Sequence, residues 1–80
     1  MNAYDERLVM EFERAARFLI DKCEHGGWKK FSSNYLREHV RCVTGLKFSN
    51  SKSPEILRAL LRKYPHLDRW IELGELKEAA

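Results

Sequence analysis

The segment SPEILRALLRKY, residues 53 to 64, places Arg58 and Arg62 four residues apart, with Lys63 directly after them. At that spacing two side chains share one face of a helix. Arginine can bind a phosphate, or O6 and N7 of guanine, through two parallel hydrogen bonds. Lys52 and Ser53 stand where such a helix would begin, and the exposed N–H groups of a helix N-terminus attract phosphate. These residues therefore predict that one helix contacts nucleic acid.

Positive charge is concentrated in the middle of the chain. Residues 28 to 63 contain nine basic and two acidic side chains, a local charge of +7, whereas the whole chain carries +3. A surface that binds a polyanion requires cations of one sign gathered in one place. Four further basic residues of this stretch are expected to contact the DNA backbone: Lys29, Lys30, Arg37 and Arg41. Affinity should then fall steeply with salt, because each neutralised phosphate releases counterions.

Two other interpretations stay open. Arg58 and Arg62 are also compatible with a solvated helix edge, and Glu55 would place a carboxylate close to a bound phosphate. Met10 and Phe18 project away from the apolar stripe of the first predicted helix. Single exposed apolar residues are common, but an apolar side chain out of register can also mark a homodimer contact or a groove for a protein partner.

Metal binding and catalysis find little support in the sequence. Two pairs, Cys23 with His25 and His39 with Cys42, contain ligand types that zinc accepts, but their spacing is not a common zinc signature. Cys23 also fits an apolar stripe, and His39 fits the margin of a core. The chain has no glycine-rich phosphate loop, carboxylate pair or serine triad pattern. We therefore predict neither a cofactor, nor a metal, nor an enzyme.

Length and composition are typical of one small soluble domain. The chain has 80 residues, of which 44% are hydrophobic and 34% charged, so residues 1–80 are expected to form a single domain. Two cysteines are too few for a disulfide framework, which favours a reduced, cytoplasmic protein. No apolar run approaches the ~20 residues of a membrane span, and the first ten residues do not resemble a secretory signal.

The elements that would position these residues are predicted from periodicity. Apolar residues at spacings of three and four predict a first helix over about Asp5–Cys23, which Gly26 and Gly27 can end. The segment WKKFS, residues 28 to 32, suggests a short strand. Ser32 or Ser33 can cap a second helix over about 34–43. Its inward residues are expected to be Leu36, Val40 and Val43, with Tyr35 and His39 at the margin.

The third helix has the strongest start signal. Ser53 is expected at the N-cap, Pro54 at the first helical position and Glu55 in the first turn. Pro65 should end this helix, and residues 69–77 contain one possible strand with Ile71 on its inner side. The buried stripe is expected to comprise Leu57, Leu60, Leu61 and Tyr64, with Ile56 at its edge. Trp28 and Trp70 flank the two predicted strands and are interpreted first as lids on the core, with platforms for base stacking as the less favoured alternative.

The order of these elements predicts a mainly α fold with short β segments. We expect a compact three-helix, winged-helix-like domain of the helix-turn-helix type, with only a rudimentary wing. About ten residues separate the second and third helices, whereas the turn of a tight helix-turn-helix has about 3–4. Docking in the major groove could therefore differ from that of the tight motif.

The sequence LKFSNSKSPEILRALLRKYPHLDRWIEL carries a resemblance. With the residues before it, from 31 to 73, it resembles a group of small phage and prophage-type proteins with a winged-helix-like plan. The resemblance implies a phage-encoded accessory protein, most simply a DNA-binding transcription regulator in the host cytoplasm. Such accessory proteins also include inhibitors of host defence, among them anti-CRISPR proteins, so a host protein complex is the alternative partner. A homodimer on double-stranded DNA is expected if the protein is a regulator.

Overall fold

The computed structural model describes residues 2–72, and these form three α-helices and a two-stranded sheet. Their order is α1 (Ala3–Gly26), β1 (Phe31–Ser32), α2 (Ser33–Thr44), α3 (Lys52–Lys63), a 3-10 helix (Pro65–Arg69) and β2 (Ile71–Glu72). The predicted mainly α architecture with short β segments is confirmed at this level. None of the helices in residues 2–72 has an apolar stretch long enough to cross a bilayer.

Helix α1 is longer than its apolar periodicity predicts. Its start is fixed by Asn2, whose side chain accepts a hydrogen bond from the backbone N–H of Asp5 at 2.8 Å. Its end is fixed by Gly27, whose φ of +84° lies in the left-handed region that favours glycine. The face turned to the core carries the predicted stripe of Leu8, Val9, Phe12, Ala15, Ala16, Leu19 and Cys23, all buried.

Helix α2 begins at its predicted cap and ends, as predicted, at Thr44 with Gly45 as its C-cap at φ +71°, but one of its inward residues was assigned wrongly. The Ser32 hydroxyl accepts a hydrogen bond from the N–H of Tyr35 at 3.0 Å, as an N-cap does. Leu36 and Val40 are fully buried, but Val43 is 68% exposed, so its predicted inward position is wrong. Leu46 and Phe48, in the loop after α2, pack against the core instead.

Helix α3 starts earlier than predicted. The N–H of Lys52 donates to the carbonyl oxygen of Ser49 at 3.1 Å, and Ser51 occupies the N-cap position. Ser53 therefore lies inside the helix and is only 3% exposed, so its predicted N-cap position is wrong. Pro54 still falls in the first turn, where a helix N–H has no intrahelical partner. The core side of α3 is formed by Ile56, Leu57 and Leu60, with Leu61 and Tyr64 partly buried.

A 3-10 helix that the sequence did not predict follows α3 and leads into the sheet. Leu67, within it, is buried. The two strands are parallel, with Phe31 paired to Ile71, and the N–H of Phe31 donates to the carbonyl oxygen of Trp70 at 3.0 Å. These two strands therefore do not form a hairpin. Leu73 and the rest of the predicted strand lie outside the described residues.

Helix α1 is the central element, and it packs against both other helices. The Tyr4 hydroxyl, near the start of α1, bonds to the carbonyl oxygen of Lys47, after the end of α2. Helix α2 is thus antiparallel to α1. At its own start, α3 is joined to the start of α1 by the ion pair Lys52–Asp5, while Arg17, later in α1, covers the ring of Tyr64. Helix α3 therefore runs in the same direction as α1.

Candidate nucleic-acid interface

The outward face of α3 presents the predicted arginine pair. Arg58 and Arg62 are exposed on the side opposite the buried residues of the helix. Lys63 is also exposed, and its ammonium lies 5.4 Å from the ring centre of Tyr64. Within residues 2–72, none of these three cations forms an ion pair. Glu55, the one acidic residue of α3, is paired with Lys52 at 3.3 Å. Among the described residues, the helix thus presents three cations that are not paired with a carboxylate.

Two more predicted cations lie beside the sheet. Lys29 and Lys30 are exposed and directly precede β1. Because β1 pairs in parallel with β2 and the Phe31 N–H donates to the Trp70 carbonyl oxygen, Lys29 and Lys30 precede the sheet at the same end as Arg69. Arg69 was missed because it lies outside the strongly basic stretch. The predicted pairing of the two strands was the signal that could have found it.

We call these residues the basic cluster: Lys29, Lys30, Arg58, Arg62, Lys63 and Arg69. They lie along one path of the backbone, from α3 through the 3-10 helix to the paired strands, and the 3-10 helix packs against both. Two exposed carboxylates, Asp68 and Glu72, share this path. Within residues 2–72, with Glu55 paired to Lys52, the six cations of the basic cluster outnumber these two carboxylates, and the charge here is positive.

Lys52 and Ser53 do not have the roles predicted for them. The Lys52 ammonium lies 3.2 Å from the Asp5 carboxylate and 3.3 Å from that of Glu55, so it joins α3 to α1. The hydrogen bond to Asp5, followed by that to Glu55, raises the pKa of Lys52. Ser53 is buried, so its hydroxyl does not belong to the surface that DNA would meet.

Arg37 and Arg41 share one carboxylate. Glu38 lies 3.1 Å from the guanidinium of Arg37 and 2.7 Å from that of Arg41. The Arg37 hydrogen bond first, and then Arg41, lower the pKa of Glu38. Arg41 also donates to the carbonyl oxygen of Phe48 at 2.6 Å and to the side chain of Asn50 at 2.9 Å. Both arginines were predicted to contact DNA; in the structure Arg41 holds the loop between α2 and α3, while Arg37 bonds to Asn34 and Glu38 within α2.

Met10 and Phe18, the predicted partner-binding residues, are both more than half exposed. Phe18 does not stand alone, because its ring stacks on His39 of α2, with 5.5 Å between ring centres and 18° between planes. His39 is in turn nearly parallel to Tyr35 at 6.5 Å, and Tyr35 meets the edge of Trp28 at 5.7 Å. We call these four side chains, Phe18, His39, Tyr35 and Trp28, the aromatic row.

The aromatic row corrects two sequence interpretations. Trp28 is 40% exposed and therefore does not cover the core, whereas Trp70 is partly buried against it as predicted. Tyr35 is half exposed rather than marginal to the core. Tyr35 and His39 were recognised as neighbours on α2, but the contact with Phe18 depends on how α1 and α2 pack. No local pattern in the sequence contains that information.

The cysteines and histidines are placed apart. Cys23 lies in the core, where burial raises the pKa of its thiol, whereas Cys42 is exposed. His25 lies 3.0 Å from the Asp21 carboxylate, one turn earlier in α1. In the part of the chain that the structure describes, no three His, Cys, Asp or Glu side chains are grouped so that they could hold a metal ion.

No protein-family model, curated protein or solved structure matches this chain. Its function is therefore inferred from the chemistry of its surface.

Proposed function

We propose that this protein binds double-stranded DNA through the basic cluster and acts as a small phage-type transcription regulator. One observation carries the proposal: the cations on the outward face of α3 are unpaired within residues 2–72, while its one carboxylate is bound to Lys52. An arginine without an anionic partner keeps its fork of donors free for a phosphate or a guanine edge. Paired arginines elsewhere would first have to break an existing contact.

In this proposal α3 is the recognition helix of a winged-helix-like module. Arg58 and Arg62 meet the duplex, and the small side chain of Ala59 between them allows close approach to a groove. Lys29, Lys30 and Arg69, beside the parallel strands, make the phosphate contacts that a hairpin wing would otherwise make. Because a single module of this size makes few contacts, we expect two copies on each DNA site.

The salt dependence of duplex binding tests the proposal. If all six cations of the basic cluster neutralise phosphates, the logarithm of the association constant should fall with the logarithm of salt concentration with a slope of about −5. The double variant Arg58→Ala/Arg62→Ala should reduce the steepness of that slope by about 2. At 0.1 M salt it should weaken binding about 60-fold, which is the contribution of two phosphate contacts. Fluorescence anisotropy with a labelled random-sequence duplex measures both quantities.

A matched control removes the same charge elsewhere. Arg7→Ala/Lys47→Ala takes away two cations near the start of α1, and it leaves Glu11 bound to Arg14 at 3.2 Å. This variant should bind duplex within a few-fold of the unchanged protein. Equal losses in the two double variants would refute a role for α3. If no duplex is bound even at 20 mM salt, DNA binding is refuted, and the phage-encoded inhibitor of a host protein takes its place.

A further inference from the structure

We propose that the aromatic row is a second binding surface, on which unpaired nucleotides of single-stranded nucleic acid stack. The inference goes beyond the proposed function, because duplex binding by the basic cluster requires none of these four side chains. It shares with that function only the class of partner.

The geometry of the row suits the stacking of bases. Successive ring centres are 5.5, 6.5 and 5.7 Å apart, from Phe18 through His39 and Tyr35 to Trp28. The Phe18 ring is 18° from parallel to His39, and His39 is 17° from parallel to Tyr35, whereas Trp28 is almost perpendicular to Tyr35. Phe18, Tyr35 and Trp28 are each between 40% and 51% exposed. Every nucleobase has a planar face that such rings can cover, whatever the sequence.

The charges around the row suit the phosphates of the same strand. The Lys22 ammonium lies 5.2 Å from the ring centre of Phe18, and Lys29 and Lys30 directly follow Trp28. These three lysines form no ion pair within residues 2–72. Glu38 is bound by both arginines of α2, and Asp21 lies against His25. With Asp21 and Glu24 counted against the three lysines, and Glu38 against its two arginines, the charge around the row stays positive, which suits an anionic ligand with planar apolar groups.

Lys29 and Lys30 also relate this surface to the basic cluster. They belong to that cluster through the pairing of β1 with β2, and they adjoin the row through Trp28. A strand whose phosphates contact these lysines could therefore continue in either direction, as duplex along α3 or as unpaired nucleotides along the row.

The test uses short single strands and the intrinsic fluorescence of Trp28 in a Trp70→Phe background, because the chain has two tryptophans. A 12-mer of thymidine should quench this fluorescence, and a 12-mer of uridine distinguishes RNA from DNA as the preferred source. Tyr35→Ala and Phe18→Ala should each weaken single-strand binding about tenfold, the usual effect of losing one stacking ring. Both variants should bind duplex within twofold of the unchanged protein. Met10→Ala, which removes an exposed apolar side chain outside the row, should change neither the single-strand affinity nor the duplex affinity.

Two further arms separate the alternatives. Inorganic polyphosphate, which has charge but no bases, should bind at least tenfold more weakly than the thymidine strand. Equal affinity, or no loss in Tyr35→Ala, would overturn the inference. Sedimentation of the free protein tests whether a second copy covers the row, and a dimer that Phe18→Ala dissociates would also overturn it. Arg58→Ala/Arg62→Ala should lose duplex binding but keep single-strand binding, so failure of one proposal is distinguishable from failure of the other.

Discussion

Arg41 connects α2 to the loop that precedes α3, and its replacement by alanine should be costly. Its guanidinium donates to the Phe48 carbonyl oxygen at 2.6 Å and to Asn50 at 2.9 Å, and it lies 4.7 Å from the ring centre of Phe48. Phe48 in turn contacts Phe12 in the core, with ring centres 5.6 Å apart. Arg41→Ala would thus release the loop and one edge of the core together.

The size of the effect follows from these contacts. A hydrogen bond from a charged group to a partly buried carbonyl contributes about 1.5–3 kcal/mol to the free energy of unfolding. The cation–π contact adds about 0.5–1 kcal/mol, while the exposed pair with Glu38 adds little. We therefore expect Arg41→Ala to lower the free energy of unfolding by about 2–4 kcal/mol. A chain of this length has about 4–12 kcal/mol in total, so Tm should fall by roughly 10 to 25 °C.

Urea unfolding followed by circular dichroism measures this difference. Arg37→Ala is the matched control, because Arg37 donates only to the side chains of Glu38 and Asn34 on its own helix. That control should cost no more than about 0.5–1 kcal/mol. If the free energies of unfolding of the two variants differ by less than about 0.5 kcal/mol, the structural role assigned to Arg41 is refuted. Its role in DNA binding then stays a prediction.

Three further predictions test the fold. Cys42 should react quickly with a thiol reagent in the native protein, and Cys23 only on unfolding, because burial shields its thiol and raises its pKa; equal rates would contradict the packing of α1. Ser32→Ala should lower the free energy of unfolding by about 1 kcal/mol in urea, since it removes the cap of α2; no change would show that the cap contributes nothing. The hydrogen bond from Arg37 lowers the pKa of Glu38 below the ordinary 4.5. Glu38→Gln should therefore lower the free energy of unfolding by its full amount above pH 4.5, and this difference should vanish as the pH falls through the lowered pKa. A difference that stays constant from pH 7 to pH 3 in urea titrations would contradict this.

Local signals in the sequence predicted the helices well. The stripe of α1 repeats every three to four residues over more than four turns, and no strand could satisfy that period. The caps are equally local, since Ser32 needs only a backbone N–H three residues away. The glycine end of α1 was predicted from Gly26 and Gly27, whereas its start was predicted too late because the Asn2 cap lies before the first apolar residues of the stripe.

The wrong predictions concern positions whose structure depends on residues outside the local pattern. Val43 continues the stripe of α2 but is exposed, whereas the loop residues Leu46 and Phe48, which belong to no helical stripe, pack against the core. Ser53-Pro54 is a strong start signal for a helix, yet a turn formed by Ser49 starts α3 earlier. Each local pattern was real, and a neighbouring segment competed for the same place.

The sequence predicted where the candidate site lies but not which cations belong to it. The sequence identified the stretch in which cations accumulate, and Arg58, Arg62 and Lys63 are exposed within it. Glu38 lies on the same helix as Arg37 and Arg41, and Glu55 on the same helix as Lys52, but the second partner of Lys52, Asp5, is 47 residues away. Which cations stay free on a charged surface therefore depends in part on carboxylates that folding brings from other elements.

The common direction of α1 and α3 has an electrostatic consequence. Their carbonyl ends, each with a partial negative charge from the aligned peptide dipoles, lie towards the same pole of the molecule. Arg62 and Lys63 occupy the last turn of α3, and Lys29 and Lys30 follow shortly after α1. A cation within a helix's last turn stabilises it by about 0.3–1 kcal/mol. An anion bound at this pole competes with the helix macrodipoles for the same four cations. The stability of the fold and the affinity for an anion therefore depend on a shared set of side chains.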